Sequence, residues 1–209
     1  MTQSSLEPPE TIDYSPMDLA RHRPKDVACL IDESAPELFA LMFGSHSVPC
    51  LTELIKRSHN RFSHQYIQIA ESNHQVVGIA TLVPAEMLNH NPDYQTVLNL
   101  GQKVWLNLVQ RLLLRYLLQE VYPAGAFYIG NLAVAPEYRN QGIGRQLLLH
   151  CIATATALSD APDPIFISVD VKNGRAQKLY ESLGFRVVAT KTIQVLGWSI
   201  GSRILSLSI

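Results

Sequence analysis

The chain carries almost no charge excess. Its 17 lysines and arginines stand against 18 aspartates and glutamates, for a formal net charge of −1 over 209 residues. A general nucleic-acid binder draws its affinity from a basic surplus, so that class finds no support here. Cysteine is scarce as well: Cys29, Cys50 and Cys151 are odd in number and show no C-x-x-C spacing, which fits a reducing compartment and not a disulfide scaffold. The opening "MTQSSLEPPETIDYSP" is polar and proline-rich and lacks a basic stretch followed by an apolar run. It reads as a flexible tail over residues 1–17, neither signal peptide nor anchor. Charges interrupt the apolar stretches every few residues, so no segment reads as a transmembrane span. The seven histidines include no H-E-x-x-H or Cys/His ligand spacing, and no metal is expected. These absences describe a cytosolic protein with no nucleic-acid or membrane partner.

What is present is a globular composition, 47% hydrophobic and 17% charged, long enough for one domain with a real core. The periodicities predict two helices between Pro24 and Phe43, a short helix over Leu51 to His59, and a hairpin of Gln65 to Ser72 with Val76 to Pro84. A leucine-rich helical stretch follows from Asn89 to Tyr122, with Trp105, Leu108, Val109, Leu112 and Tyr116 on one face. The sequence then reads as a strand (Ala126 to Val134), a helix apolar nearly all round (Gly144 to Leu158), a strand from Ile165, a capped helix ending at Gly184, and two closing strands. The expected class is mixed α/β, a single domain over 18–209 with a helical insertion at about 85–123.

Between the strand ending at Val134 and the following helix lies "RNQGIGR", Arg139 to Arg145. The first amides of a helix lack intrahelical partners, and the helix dipole adds partial positive charge there. Gly142 and Gly144 let oxygen atoms approach the backbone, while Arg139 and Arg145 supply fork-shaped donors. The inference is a diphosphate or polyphosphate site. No Lys-Ser or Lys-Thr follows Gly144, so this is not a Walker loop, and Leu147 stands where a dinucleotide fingerprint needs a third small residue. Glycines that simply shape a turn are the bland alternative. One strand later, "NGRAQKLYESLGF" places Asn173 as a helix cap and sets Ala176 and Tyr180 on one helical face.

Together, Arg139, Gly142 and Gly144 (Q/R-x-x-G-x-G/A) and Asn173, Ala176, Tyr180, Gly184 and Phe185 resemble the GNAT superfamily of acyl-CoA-dependent N-acyltransferases. The likeness is close from Ala126 to Phe185 and looser over the earlier hairpin and the final strands. It implies a mostly antiparallel central sheet with a splayed parallel strand pair, flanked by helices. It implies that Leu132, Ala133 and Val134 pair with the pantetheine arm of acetyl-CoA, the co-substrate. The pyrophosphate would rest on the backbone of Arg139, Asn140, Gln141, Gly142, Ile143, Gly144 and Arg145, and Asn173 would touch the CoA arm. Tyr180 would protonate the departing thiolate, and a backbone N–H near Val134 would face the oxyanion. The acceptor would be the primary amine of a small molecule or peptide. Members often carry a glutamate early on the strand before the loop; here Tyr128-Ile129-Gly130-Asn131 holds no carboxylate. That leaves water relayed by Tyr128 or Asn131, or a carboxylate such as Glu86, for the amine's proton. Asp170 is a weaker candidate acid. The missing glutamate also keeps open a non-catalytic acyl-CoA-binding or sensing role. A homodimer would use the exposed face of the inserted helix or the last strand.

Overall fold

Prolines open the first two helices, because a missing N–H and a fixed φ suit a helical first turn. Pro24 starts α1 (Pro24–Ser34), which buries Val27, Ala28, Leu30 and Ile31. Pro36 starts α2 (Pro36–Phe43) and forces Ala35 out of the helical region, φ −157°, so the two helices separate there. The computed structural model describes residues 11–109, 122–158, 163–195 and 198–208. The remaining elements are β1 (Asp13–Pro16), α3 (Ser47–Ile55), β2 (Ile67–Ser72), β3 (Gln75–Pro84), α4 (Tyr94–Val97), α5 (Leu100–Val109), β4 (Phe127–Val134), α6 (Ile143–Leu158), β5 (Ile165–Asp170), α7 (Gly174–Glu181), β6 (Arg186–Val195) and β7 (Trp198–Leu207).

The strands form one seven-stranded sheet in the order β1-β2-β3-β4-β5-β7-β6. Every pairing is antiparallel except β4 with β5. Helices cover both faces. Val27, Ile31, Phe39, Phe43, Leu51 and Leu54 pack under one side. Leu147, Leu148, Cys151, Tyr180 and Phe185 pack under the other, with Ile129, Ile165 and Leu205 of the sheet. Each fully buried leucine or isoleucine contributes about 1.5–3 kcal/mol relative to an exposed one. Cys151 lies at 0% exposure, and burial pushes its thiol up to about 12, so it stays an unreactive packing group.

Several sequence expectations change. Residues 13–16 are no tail: they add β1 to the sheet edge, Tyr14 opposite Ala70, while residues 1–10 lie outside the described ones. Helix α6 is buried along one stripe, Ile143, Leu147, Leu148, Cys151 and Ala155; it is not enclosed on both sides, and Leu158 is exposed. Its alanines and threonines make the outer face look apolar in sequence. In α5 the inward residues are Leu106 and Val109, whereas Trp105 and Leu108 are half-exposed and Leu100 and Val104 more so. The Trp105 indole donates to the Leu41 carbonyl at 2.8 Å, which ties it to α2 and sets the helix's rotation. Leu112 and Tyr116 lie outside the described residues. The run Pro36–Ile55 is long and apolar enough to cross a membrane by length and composition. It is broken at Gly44, φ +66°, and Phe39, Phe43, Leu51, Leu54 and Ile55 point into the core. The last strand begins at Trp198, opposite Val195, earlier than the turn residues suggested.

The β1 edge is fastened by a buried charge cluster. Glu71 accepts from His22 Nε2 at 2.8 Å and pairs with Arg21 at 3.3 Å, with His74 at 3.5 Å. His22 Nδ1 accepts the Asp18 N–H at 2.9 Å, so its proton sits on Nε2. Burial alone would raise the Glu71 carboxyl; the His22 hydrogen bond and the Arg21 charge together outweigh it and hold it below the ordinary value. A carboxylate depressed in the folded state stabilises above its unfolded pKa of about 4.3 and loses that contribution as pH falls through the folded value. Melting temperature is therefore expected to drop below about pH 4.3, and Glu71→Gln to lower the neutral-pH value and flatten that acid dependence. An unchanged acid limb in the variant would remove Glu71 from this role.

Candidate active site

Strands β4 and β5 pair only from Phe127 opposite Ile165 to Ile129 opposite Ile167. Beyond that point they part into a wedge. The cause is a bulge in β4: its register against β3 jumps from Thr81–Gly130 to Ile79–Ala133, leaving Asn131 and Leu132 across from Ala80. Asn131 takes φ +47°, and its amide donates to Ser34 Oγ at 3.1 Å, which anchors the bulge to the end of α1. The extra residue changes the alternation. Phe127 and Ile129 join the cluster beneath α6, and after the bulge Leu132 and Val134 do so.

Backbone direction follows from the same register. Ala135 N–H donates to the Val77 carbonyl in β3 at 2.8 Å. Successive strand residues aim their amides to opposite sides, so Ala133 also serves β3 while Leu132 and Val134 turn their N–H groups toward the wedge. Of the three residues assigned to the pantetheine arm, two present free backbone there and Ala133 does not.

The loop from Arg139 follows. Asn140 and Gly142 have φ +67° and +83°, which folds the chain back into the start of α6. The first amide to find an intrahelical-type partner is that of Gln146, bonded to the Gly142 carbonyl. From Asn140 to Arg145 the backbone N–H groups have no acceptor among the described residues. A side chain at Gly142 would meet no atom within 4 Å, and one at Gly144 only Val134 and Leu132 at 3.8 and 4.0 Å. Packing within the chain therefore does not require glycine at 144. Arg145 has no partner among the described residues.

Arg139 behaves differently from the sequence expectation of a phosphate fork. Its Nε donates to the Val134 carbonyl at 2.8 Å and its Nη2 lies 3.4 Å from Glu33, while its amide is bonded to Pro136. It fastens the loop to β4 and α1. Gln141 Nε2 bonds the Glu137 carbonyl at 3.2 Å. The loop is braced from the far side by Arg175 of α7, which donates to Asn140 Oδ1.

Across the wedge, Asn173 caps α7, its Oδ1 accepting the Ala176 N–H at 3.0 Å. One helical face onward, Tyr180 is 6% exposed with its ring 6.3 Å from that of Phe185. Its hydroxyl has no hydrogen-bond partner among the described residues. Burial, with a smaller effect from nearby Tyr128, raises its pKa well above the ordinary phenol value. Tyr128 in turn hydrogen-bonds Ser168 Oγ of β5, just past the last paired residues, and closes the apex of the wedge.

The candidate bases fare as follows. Asp170 Oδ1 accepts the Lys172 N–H at 2.7 Å and shapes the turn into α7. Glu86 accepts the Gly125 N–H at 2.9 Å, which lowers its pKa, beside the entrance of β4 and away from the wedge. Asn131 and Tyr128 are each committed to a serine. The sequence reading did not find Ser168, Glu33 or Arg61, whose guanidinium lies 6.0 Å from the centre of the Tyr128 ring. Nothing local in the sequence marks these residues; the fold brings Ser168 and Arg61 near Tyr128 and Glu33 near Arg139.

The family model described as "Acetyltransferase (GNAT) family" matches residues 33–185, from the end of α1 to the residue after Gly184. A relative, the [ribosomal protein bS18]-alanine N-acetyltransferase of Escherichia coli strain K12, is 44% identical over 55 residues, 26% of this chain and 36% of its own. The chain thus spans about a third of the curated relatives it matches. Among solved structures, an N-acetyltransferase from Staphylococcus aureus Mu50 superposes with a TM-score of 0.69 at 18% identity, covering 93% of this chain and all of the other. The protein yncA from Salmonella typhimurium, solved with its cofactor acetyl-CoA, gives 0.54 at 16% identity over 94% and 93%. The two superpositions show that this chain shares its fold with those structures. On the extent of the family match, the chain belongs to the GNAT acetyltransferase family.

Proposed function

We propose that the protein transfers an acetyl group from acetyl-CoA to the primary amine of a small or peptidic acceptor. The observation that carries this is the row of partnerless amides from Asn140 to Arg145 across the same wedge from Tyr180, a largely buried residue whose hydroxyl has no partner among the described residues. The residues fit the group. Partnerless amides at a helix start suit a pyrophosphate, and the wedge-facing amides of Leu132 and Val134 suit the amides of an extended arm. The structural neighbour solved with acetyl-CoA supports the choice of donor.

Acetyl-CoA supplies a thioester carbonyl open to attack by an amine. A backbone N–H of β4 near Val134 would face the carbonyl oxygen, where donors act on developing negative charge. The amine nitrogen forms the new bond to carbon, the carbon–sulfur bond breaks, and the Tyr180 hydroxyl gives its proton to the leaving thiolate. With no carboxylate at the apex among the described residues, the amine's proton leaves to water, and the acceptor reacts as the free base. A partnerless phenol is the feature that a purely binding protein has no use for.

The sign of the Tyr180 shift sets a pH profile. A phenol with a raised pKa remains protonated throughout the range in which amines lose their proton. Turnover of an amine panel, followed as CoA release, is expected to rise with pH and level off with no descending limb up to about pH 10. A decline in kcat/KM beginning near pH 8 on a stable protein would remove Tyr180 as the proton donor.

A further inference from the structure

We infer that the acceptor carries a carboxylate and that Arg61 is the residue that selects it, an inference that rests on the acetyltransferase reading above. Arg61 stands in the loop between α3 and β2, and an unusual number of polar contacts fixes that loop. Asn60, fully buried, donates to the Leu54 carbonyl and to Asp93 Oδ2, both at 2.9 Å, and accepts the Phe62 N–H at 2.8 Å. Asp93 Oδ2 also accepts the His59 N–H at 2.8 Å, and Asn91 Oδ1 accepts the Arg61 N–H at 3.1 Å. The backbone of residues 59–62 is therefore held from three sides.

What this scaffold presents is a half-buried guanidinium with no anion. Its centre lies 5.5 Å from the Phe62 ring and 6.0 Å from the Tyr128 ring, and the nearby Tyr94 is also neutral. The Nε is enclosed and has no hydrogen-bond partner. No carboxylate among the described residues forms an ion pair with Arg61. Aromatic faces attract the cation, but its donors lie in the guanidinium plane and a ring face does not satisfy them. An enclosed donor left unmade is costly. Planar, paired acceptors at the edge of the guanidinium answer this geometry, and a carboxylate supplies them. Tyr128 connects this position to the chemistry: its ring centre lies 6.0 Å from the Arg61 guanidinium, its hydroxyl bonds Ser168 at the apex of the wedge, and it lies close enough to Tyr180 to influence its proton. A molecule whose amine enters the wedge beside Tyr128 would have the Arg61 guanidinium, 6.0 Å from the Tyr128 ring centre, as the nearby cation for its carboxylate.

The test uses matched pairs of amines that differ only in carboxylate against carboxamide: free amino acids and their amides, and short peptides with acidic or amidated side chains. Steady-state kcat/KM is measured for wild type, Arg61→Ala and Arg61→Lys, with acetyl-CoA affinity measured on each. Wild type is expected to prefer carboxylates by about tenfold or more, the range of a charge-assisted hydrogen bond. Arg61→Ala should lose that preference through KM with acetyl-CoA affinity unchanged, and Arg61→Lys should keep part of it. The free and peptidic arms show whether the carboxylate belongs to a small acceptor or to a peptide side chain. Equal use of acids and amides by wild type, a preference that survives in Arg61→Ala, or acetyl-CoA binding without turnover of any carboxylate-bearing amine each overturns the assignment. Failure of wild type to bind acetyl-CoA overturns the acetyltransferase reading itself.

Discussion

Replacing Tyr180 with phenylalanine is expected to lower kcat by about 10²–10³-fold, the usual contribution of a positioned general acid. Acetyl-CoA affinity should stay within about twofold, since the pyrophosphate and arm contacts assigned above are backbone groups on the other side of the wedge. Stability should hold or rise. The phenylalanine ring keeps the packing against Phe185, and the hydroxyl it removes makes no hydrogen bond among the described residues, so no partner is left unpaired. Loss of activity together with a retained or higher melting temperature separates a proton donor from a core aromatic. A variant with wild-type kcat would return Tyr180 to ordinary packing.

The second large effect is expected at Gly144. It is the second residue of α6 and its backbone is in the ordinary helical region, so glutamate there is compatible with the fold. An added side chain finds only Val134 and Leu132 near 4 Å, and a carboxylate in the first turn of a helix is favourable to the helix. The same carboxylate stands beside the amides from Asn140 to Arg145 and repels a pyrophosphate. Gly144→Glu should therefore melt at or above the wild-type temperature yet bind acetyl-CoA at least about 100-fold more weakly, roughly 2.7 kcal/mol. In thermal unfolding, millimolar acetyl-CoA should raise the wild-type midpoint and leave the variant's unmoved. Equal ligand-induced shifts in both proteins would mean that the loop holds no phosphate.

Most of what fixes the fold class could be read along the chain, because it is written in local terms. Proline at helix starts, the alternation of Gln65 to Ser72, and glycine at a left-handed helix end all act within a few residues, although β2 is in fact buried along its whole length. The glycine loop at a helix start and the helix that carries Tyr180 were legible as elements for the same reason, since both are marked by short spacings. What escaped depends on register. The bulge at Asn131 decides which backbone amides face the wedge, so Ala133 turned out to serve β3 while its neighbours do not. Arg139 looks like a phosphate ligand in sequence, yet the carbonyl of Val134 and the carboxylate of Glu33, over 100 residues earlier, claim its guanidinium. The strand at 13–16 was hidden in a polar, proline-bearing segment that only its pairing with β2 orders. Arg61 and Ser168 lie far apart in the chain, and only the folded loop and the parting of β4 from β5 gather them around Tyr128.

The central claim is that the opening between β4 and β5, with the loop from Asn140 to Arg145, receives acetyl-CoA. Isothermal titration of the folded full chain with acetyl-CoA tests it most directly. The account predicts saturable one-to-one binding that is weakened by competing pyrophosphate. Absence of binding heat at several temperatures, from protein with a cooperative melting transition, would contradict it.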